Sequence, residues 1–514
     1  MASPIKHKGS PELSHERRSS TQIGSSGETN VAPYGTTGQT KRDIGGLSMI
    51  SLAFNICNSW TALATSLAIA IAAGGTFTVI YGIMIVSAVY FAVALTLAEL
   101  ASVYPTAGGQ YHFSSILAPK RLSRGISYVC GFAASCSWIF LAGAVTILAT
   151  QILLSFPAYY SKDYVPQGWH YFLVFQALNI TTHVYNLLLL KKMAWIHEVG
   201  FILSLLTFLT VSITCLVRAD RQPSSFVWNN FENNVGWPDG ITFLTGLMTP
   251  AVMFLGLDGA MHLAEECFNP ERTVPQALIS TSVMGSTTGV AFSIAMCYGI
   301  TDLDELVDAM MPIYALWRQA TGSTTAATVF LAALFMVVLF AINAIVQTAS
   351  RMTWAFAQDG GLLGGRQLAA IHPTLQVPVW GLVANSFIVF ILGCIYLGSS
   401  VAFNAVAGSS VILQMLSFSI PALLLMLRKR SADVLPPGRF IQLPNWVGWI
   451  ANMTVVIFSV IEIIFFNFPP TYPTTGTSMN YASVVLFFTF VLAVLNWIVY
   501  ARKHYQGPTV SHHA

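Results

Sequence analysis

Apolar residues run along this 514-residue chain in long unbroken blocks, with neither the alternation of a half-buried strand nor the one-sided spacing of a surface helix. A hydrocarbon core about 30 Å thick is crossed by about 20 mostly apolar residues of helix. Twelve blocks reach that length: 47–72, 77–104, 125–155, 168–190, 195–217, 240–265, 276–300, 323–356, 379–398, 401–427, 447–468 and 480–501. They are too long and too uniform for the short alternating strands of a membrane barrel. The pattern predicts an all-α polytopic membrane protein with 12 transmembrane helices, its partner the lipid bilayer.

Two of the blocks are interrupted. Span 1 carries Asn55, Asn58 and Ser59 beside Trp60, where a lipid-facing helix has leucine. Span 6 carries Thr249-Pro250 and then Gly256-Leu257-Asp258-Gly259. Polar groups at that depth must be satisfied by protein, water or ligand. Interrupted segments at corresponding positions of two halves point to an inverted-repeat transporter whose binding site lies at the breaks. Positions one and six give five helices per repeat. Repeat one then covers about 47–217, repeat two about 240–427, and two extra helices about 447–501, within a transporter domain of residues 46–503.

Charge sharpens this picture. Only 9% of residues are charged, against about 25% in soluble domains. A soluble enzyme, a nucleic-acid binder and a secreted disulfide scaffold are excluded. Residues 1–45, rich in Ser, Gly and Thr and without an apolar core, read as a disordered cytoplasmic tail rather than a secretory signal, and residues 504–514 as a short second tail. With the amino terminus inside, only Lys162, Arg218, Arg221 and Arg318 of the 24 basic residues fall on the outer side. Both termini are then cytoplasmic, in a multi-pass protein of the plasma membrane. Asp302, Asp304, Glu305 and Asp308, before span 8, suggest a short outer surface helix ending near Arg318. The seven cysteines form no CxxC pair and read as small buried hydrophobes. The sequons at Asn179 and Asn452 fall inside spans and are read as chance.

No HExxH, GxSxG, P-loop or GxGxxG stands in a suitable context, so no catalytic residue, metal or cofactor is assigned and the chain is not read as an enzyme. Without a phosphate-binding loop, transport must draw on an ion gradient.

Scarcity of charge makes the few intramembrane ionisable groups informative. An acid near the bilayer centre costs several kcal/mol and is a functional hypothesis by default. Asp258 reads as a counter-charge for a cationic amine, a proton-coupling carboxylate, or a cap on the broken helix. Glu99, in span 2, either pairs with an inner basic residue or takes part in coupling. Trp60, beside the first break, either packs or offers its face to an alkylammonium. His262 follows Asp258 by four residues on the same face, placed for hydrogen bonding in the bundle or for proton relay. Glu462, in span 11, either reaches the outer edge or pairs locally.

Six stretches carry a family resemblance. They are Asn58-Ser59-Trp60; Ala98-Glu99-Leu100-Ala101-Ser102 running on to Pro105-Thr106-Ala107-Gly108-Gly109-Gln110-Tyr111; Gly256-Leu257-Asp258; Ala264-Glu265-Glu266 with Asn269-Pro270-Glu271-Arg272-Thr273-Val274-Pro275; Ser350-Arg351-Met352-Thr353-Trp354-Ala355-Phe356-Ala357 with Asp359-Gly360-Gly361-Leu362; and Phe468-Pro469-Pro470. Together they resemble the fungal amino acid/choline transporter family of the amino acid–polyamine–organocation superfamily. The resemblance implies a LeuT-type fold of five-plus-five inverted repeats with two extra helices. It implies secondary transport of a small amine or amino acid (choline, GABA, amino acid or polyamine class), usually coupled to protons. Sodium stays open as the coupling ion, because its ligands are carbonyls and hydroxyls that a sequence does not mark.

On this reading Asn55, Asn58, Ser59, Trp60, Gly256, Asp258 and Gly259 bind substrate, while Glu99, Glu265, Glu266 and Arg272 serve coupling or an intracellular gate. The span 1 motif is similar to that of choline permeases. Gly259 replaces a family cysteine, and Gln358-Asp359 stands where an Arg-Asp pair is frequent. A transporter or exporter of a pathway-specific metabolite is the alternative.

Overall fold

Long apolar blocks with no strand periodicity leave the chain only one way to satisfy its backbone in lipid, by helices. The computed structural model describes residues 42–508 except 162, 191, 192, 194 and 477. Most of the expected amino-terminal tail, residues 509–514 of the expected second tail, and Lys162, Lys191 and Lys192 lie outside the described residues. Among the described residues there is no strand beyond the isolated bridges Ile44 to Cys267 and Ala73 to Asn233.

Span 1 is split into α1 (Gly46–Cys57) and α2 (Ser59–Ala72). It is followed by α3 (Gly75–Ala101), the short α4 (Gln110–Leu117), α5 (Ser123–Tyr160), α6 (Gly168–Leu188) and α7 (Ile196–Arg218). Span 6 is divided into α8 (Asp239–Gly246), α9 (Met248–Val252) and a 3₁₀ segment, Leu257–Glu266. Then come α10 (Pro270–Gly299), α11 (Thr324–Gln358), α12 (Val379–Gly398), α13 (Ser400–Leu427), α14 (Asn445–Phe465) and α15 (Ala482–Asn496).

Among the described residues, eleven segments are long and apolar enough to cross a membrane. The remaining expected span is the 21-residue α6, which is less apolar because Gln176, Asn179 and Asn186 face the bundle. Their amides donate to Phe390 O (3.1 Å), Ser386 O (3.1 Å) and Asn343 Oδ1 (2.9 Å). The expected outer surface helix is two short helices, Leu303–Asp308 and Pro312–Thr321, joined by the Arg318–Glu305 ion pair. Pro312 opens the second helix, where its missing N–H leaves no gap.

The packing follows a five-span offset. α1 packs on the 3₁₀ segment, α3 on α10, α5 on α11 and α6 on α12, so each of the first four spans meets the one five positions later. This is the arrangement of a LeuT-type bundle. α14 lies outside it against α13 and α3, and α15 against α13 and α5. Glu462 of α14 is fully buried and faces Tyr90, so it does not reach the outer edge.

One end of the bundle, called proximal here, gathers Asp43, Glu266, Arg351 and Tyr505. It is closed by ions. Glu99 is fully buried and accepts from Arg430 and from Arg439 Nη2 (2.8 Å) and Leu443 N (3.2 Å), tying α3 to the segment after α13. Removing one partner of a buried ion network leaves the other charges uncompensated, which costs about 3–5 kcal/mol. Glu99→Gln therefore lowers the thermal midpoint of the purified protein sharply. The Glu99→Gln/Arg430→Met pair recovers part of the loss, and scanning fluorimetry in detergent measures both.

Candidate functional site

The site is built from two neighbouring breaks, the second of which is supported from the first. At Asn58 the backbone turns left-handed (φ 32°), a conformation that asparagine tolerates, and this ends α1. In span 6 the helix ends at Val252, and Gly256 takes φ 84°. The Met253 carbonyl freed there finds a partner on span 1, where Ser59 Oγ donates to it (2.8 Å), while Phe254 O accepts from Leu257 N (3.1 Å) and lies 3.9 Å from the Cys57 thiol. The freed N–H of Gly256 donates to Gln414 Oε1 of α13 (2.7 Å). Gly256 and Gly259 are small because Ile56 and Trp138 lie where a Cβ would stand.

A cavity of about 450 Å³ opens above these breaks, toward the end opposite the proximal one. Its polar lining is Asn58, Thr61, Thr65, Ser66, Gln151, Asn404 and Ser410, and no charged side chain among the described residues lines it. Asn58 is oriented by a chain of bonds. The Trp60 indole, which can only donate, reaches Ser204 Oγ (3.0 Å), so the Ser204 hydroxyl donates onward to Asn58 Oδ1 (3.0 Å). Thr61 Oγ1 donates to the same oxygen (2.6 Å). The Asn58 amide nitrogen is thereby turned away from both and has no partner in the protein.

Of the expected binding residues, then, Asn58 lines the cavity and the others stand behind it. Asn55 donates to His197 O (2.7 Å), holding α1 to α7. Ser59 holds span 6. Trp60 packs between Phe292 and Phe208, with ring centroids 5.4 and 6.3 Å away, and is not among the cavity's lining residues.

Asp258 lies below the cavity, fully buried and saturated with donors. Gln110 and Trp138 Nε1 (3.2 Å) reach Oδ2, which also meets His262 Nε2 at 2.9 Å; Gln414 Nε2 reaches Oδ1 (2.8 Å). Gln110 and Gln414 are unassigned by sequence reasoning. Gln110 stands within a quoted motif, and Gln414 is a lone amide deep in an apolar span, which was its available signal.

The expected gate residues lie at the proximal end. Glu266 pairs with Arg351 Nε (2.8 Å), and its carbonyl accepts from Asp43 N and Ile44 N (both 3.0 Å). Glu265 engages the Ala107 backbone. Arg272 stands apart, exposed, with its guanidinium 5.9 Å from the Phe440 ring. Tyr111 of α4 donates to Asp359 Oδ2 (2.8 Å), just beyond α11. The structure thus brings Asp258 and Glu266 onto one 3₁₀ segment but leaves Glu99 in a separate cluster.

Burial raises the Asp359 carboxyl from its ordinary 3.8 to about 6, with the Tyr111 hydrogen bond opposing the shift. A carboxyl that holds its proton more tightly folded than unfolded contributes stability that is full below pH 3.8 and is lost as pH rises through about 6. The wild-type thermal midpoint, measured relative to Asp359→Asn, therefore falls between pH 4 and pH 7. Scanning fluorimetry of both proteins across that range checks it.

The amino acid permease family matches residues 44–491. The chain is 31% identical to the choline transporter of Saccharomyces cerevisiae over 90% of its length and 82% of that protein. It is 30% identical to a swainsonine transporter of Arthroderma benhamiae (91% and 93% covered) and 28% identical to an amino-acid permease of Arabidopsis thaliana (94% and 96%).

Proposed function

The chain belongs to the amino acid permease family, and from that premise we propose that it imports a small amine or amino acid across the plasma membrane by alternating access, driven by protons. It is an integral multi-pass transporter of small amines or amino acids and not an enzyme. Basic residues at the proximal end, among them Arg124, Arg351, Arg428, Arg430 and Arg439, support a cytoplasmic assignment for that end. The cavity then faces outward, and the ion pairs at Glu99 and Glu266 seal the inside.

The observation that carries this reading is Asn58, a residue of the cavity wall at a helix break whose amide nitrogen is buried and has no partner in the protein. Its free N–H groups, with the N-terminal end of α2, suit a substrate carboxylate or hydroxyl. The carbonyl ends of α1 and α9 suit the ammonium. Rocking of spans 1, 2, 6 and 7 exposes the site to each side in turn. Asp258 does not pair with the ammonium in this conformation, because four donors already fill it.

A second reading has its own support. A cavity lined by amides and hydroxyls without a charge or an aromatic cage also fits a hydroxylated metabolite. A relative named a swainsonine transporter is of that kind.

Uptake of labelled choline, GABA, arginine and spermidine in permease-deficient yeast separates the substrate classes. Competition by none of them, with metabolite secretion lost in a deletion strain, selects the second reading. Uptake that survives a protonophore but requires sodium overturns proton drive. Asn58→Asp keeps the shape and the left-handed turn but replaces the free donor by an anion. It is expected to raise KM at least tenfold for a carboxylate substrate, since one hydrogen bond to a charged group contributes about 1.5–3 kcal/mol. An unchanged KM sinks the role given to Asn58.

A further inference from the structure

Below the cavity, the hydrogen bonds of two side chains restrict where a proton can be. His262 Nδ1 lies 2.8 Å from the carbonyl oxygen of Ala107, which only accepts, so Nδ1 carries hydrogen. Nε2 lies 2.9 Å from Asp258 Oδ2. At that separation the two atoms share one hydrogen, either as imidazolium facing carboxylate or as neutral imidazole facing a protonated carboxyl. Two of the other donors at Asp258 cannot accept this proton. The Trp138 indole only donates, and the Gln414 amide is fixed nitrogen-inward because its oxygen accepts from Gly256 N. Gln110 supplies a further amide.

With the shared proton the pair is neutral; without it, one negative charge is buried with no cation against it. The other titratable groups around Asp258 are Cys57 of α1, Tyr90 of α3 and Cys130 of α5, none of them a cation. Among the described residues no Lys or Arg forms an ion pair with Asp258, and the nearest such pair along the segment, Glu266–Arg351, is already balanced.

The geometry points to Asp258–His262 as an internal proton-binding site that holds one proton while the proximal end is closed and releases it when that end opens. This rests on the proton-driven reading above and names the atoms that carry the proton. Ala107 and Gln110 belong to the turn before α4 and to α4 itself; Asp258 and His262 belong to span 6. Opening the proximal end parts these elements. His262 Nδ1 then loses its carbonyl, Asp258 loses the Gln110 amide, and water enters. The shared N–H or O–H bond breaks to a water oxygen, leaving a neutral imidazole and a hydrated carboxylate still held by Trp138 and Gln414. Because the closed form binds the proton more tightly, raising pH shifts the population toward the open form.

Two measurements on the full chain in lipid nanodiscs test this without any substrate. In ¹⁵N-histidine-labelled protein, one of the 11 histidine rings is expected to have both nitrogens bonded to hydrogen, Nε2 through the shared proton. That signal is lost in His262→Gln and becomes a ring with hydrogen on Nδ1 alone in Asp258→Asn. A His262 ring with a bare Nε2, identical in wild type and Asp258→Asn, overturns the site. If His262→Gln does not fold, the change caused by Asp258→Asn alone assigns the ring.

In the second measurement, spin labels at Lys120→Cys and Phe268→Cys, with exposed Cys394 replaced by Ser, span the proximal end. The long-distance fraction is expected to grow between pH 5.5 and pH 8 in the wild-type background and to stay level in Asp258→Asn. Wild-type distances that ignore pH overturn the release step. Uptake under a protonophore reads proton drive separately. Uptake that survives with the ring signal intact removes the proton-driven reading and leaves the site; a missing ring signal with protonophore-sensitive uptake removes only the site.

Discussion

The structure depends on one constraint, that a helix opened inside a bilayer must return every freed backbone group to a partner. Span 6 opens between Val252 and Leu257, and its groups are taken by Ser59, Cys57 and Gln414 from two other spans. The break in span 1 is smaller, a single left-handed residue, and its own side chain is held by Thr61 and Ser204. The larger break therefore leans on the span that carries the smaller one, and this places the two non-helical stretches side by side next to the cavity.

Polarity is divided sharply around these breaks. The cavity side presents amides and hydroxyls, while among the described residues no acid lines the cavity. An ionised side chain facing a roomy, partly apolar cavity would lose the close donors that Asp258 has from Gln110, Trp138 and Gln414. Packed below, the same carboxylate is matched by fixed dipoles at short range, which is where they act most strongly. Glu99 is handled differently, with two guanidinium groups rather than amides, and accordingly sits at the rigid proximal seal.

Much of this was legible in the sequence. Apolar length located the spans, and amides or glycines inside apolar blocks located both breaks, because few other reasons exist for such residues at that depth. Asp258 stood out because charge is so scarce. Direction was not legible. Trp60 sits next to the break, yet its indole points to Ser204 and its ring to Phe208 and Phe292, since helix rotation is set by packing against α7 and α10 rather than by sequence position. Gln414 was hidden for a similar reason: its role comes from a neighbour 158 positions away. The reduced hydropathy of α6 reflects amides that meet α11 and α12 instead of lipid.

The order of the polar chain gives the site its logic. Trp60 fixes Ser204, Ser204 fixes Asn58, and Asn58 forms part of the cavity wall; Gly256 fixes Gln414, Gln414 fixes Asp258, and Asp258 faces His262 below the floor. Both chains start at a group that can only donate, an indole N–H in one case and a backbone N–H in the other, so neither can reverse its polarity. One ends at the cavity wall, the other beneath the cavity floor. The first runs through the break in span 1 and the second through the break in span 6, and Ser59 ties span 1 to span 6 at Met253 O, so a movement that widens either break reaches both endpoints. On the proposed reading, an organic solute and a proton are coupled through that shared scaffold without touching.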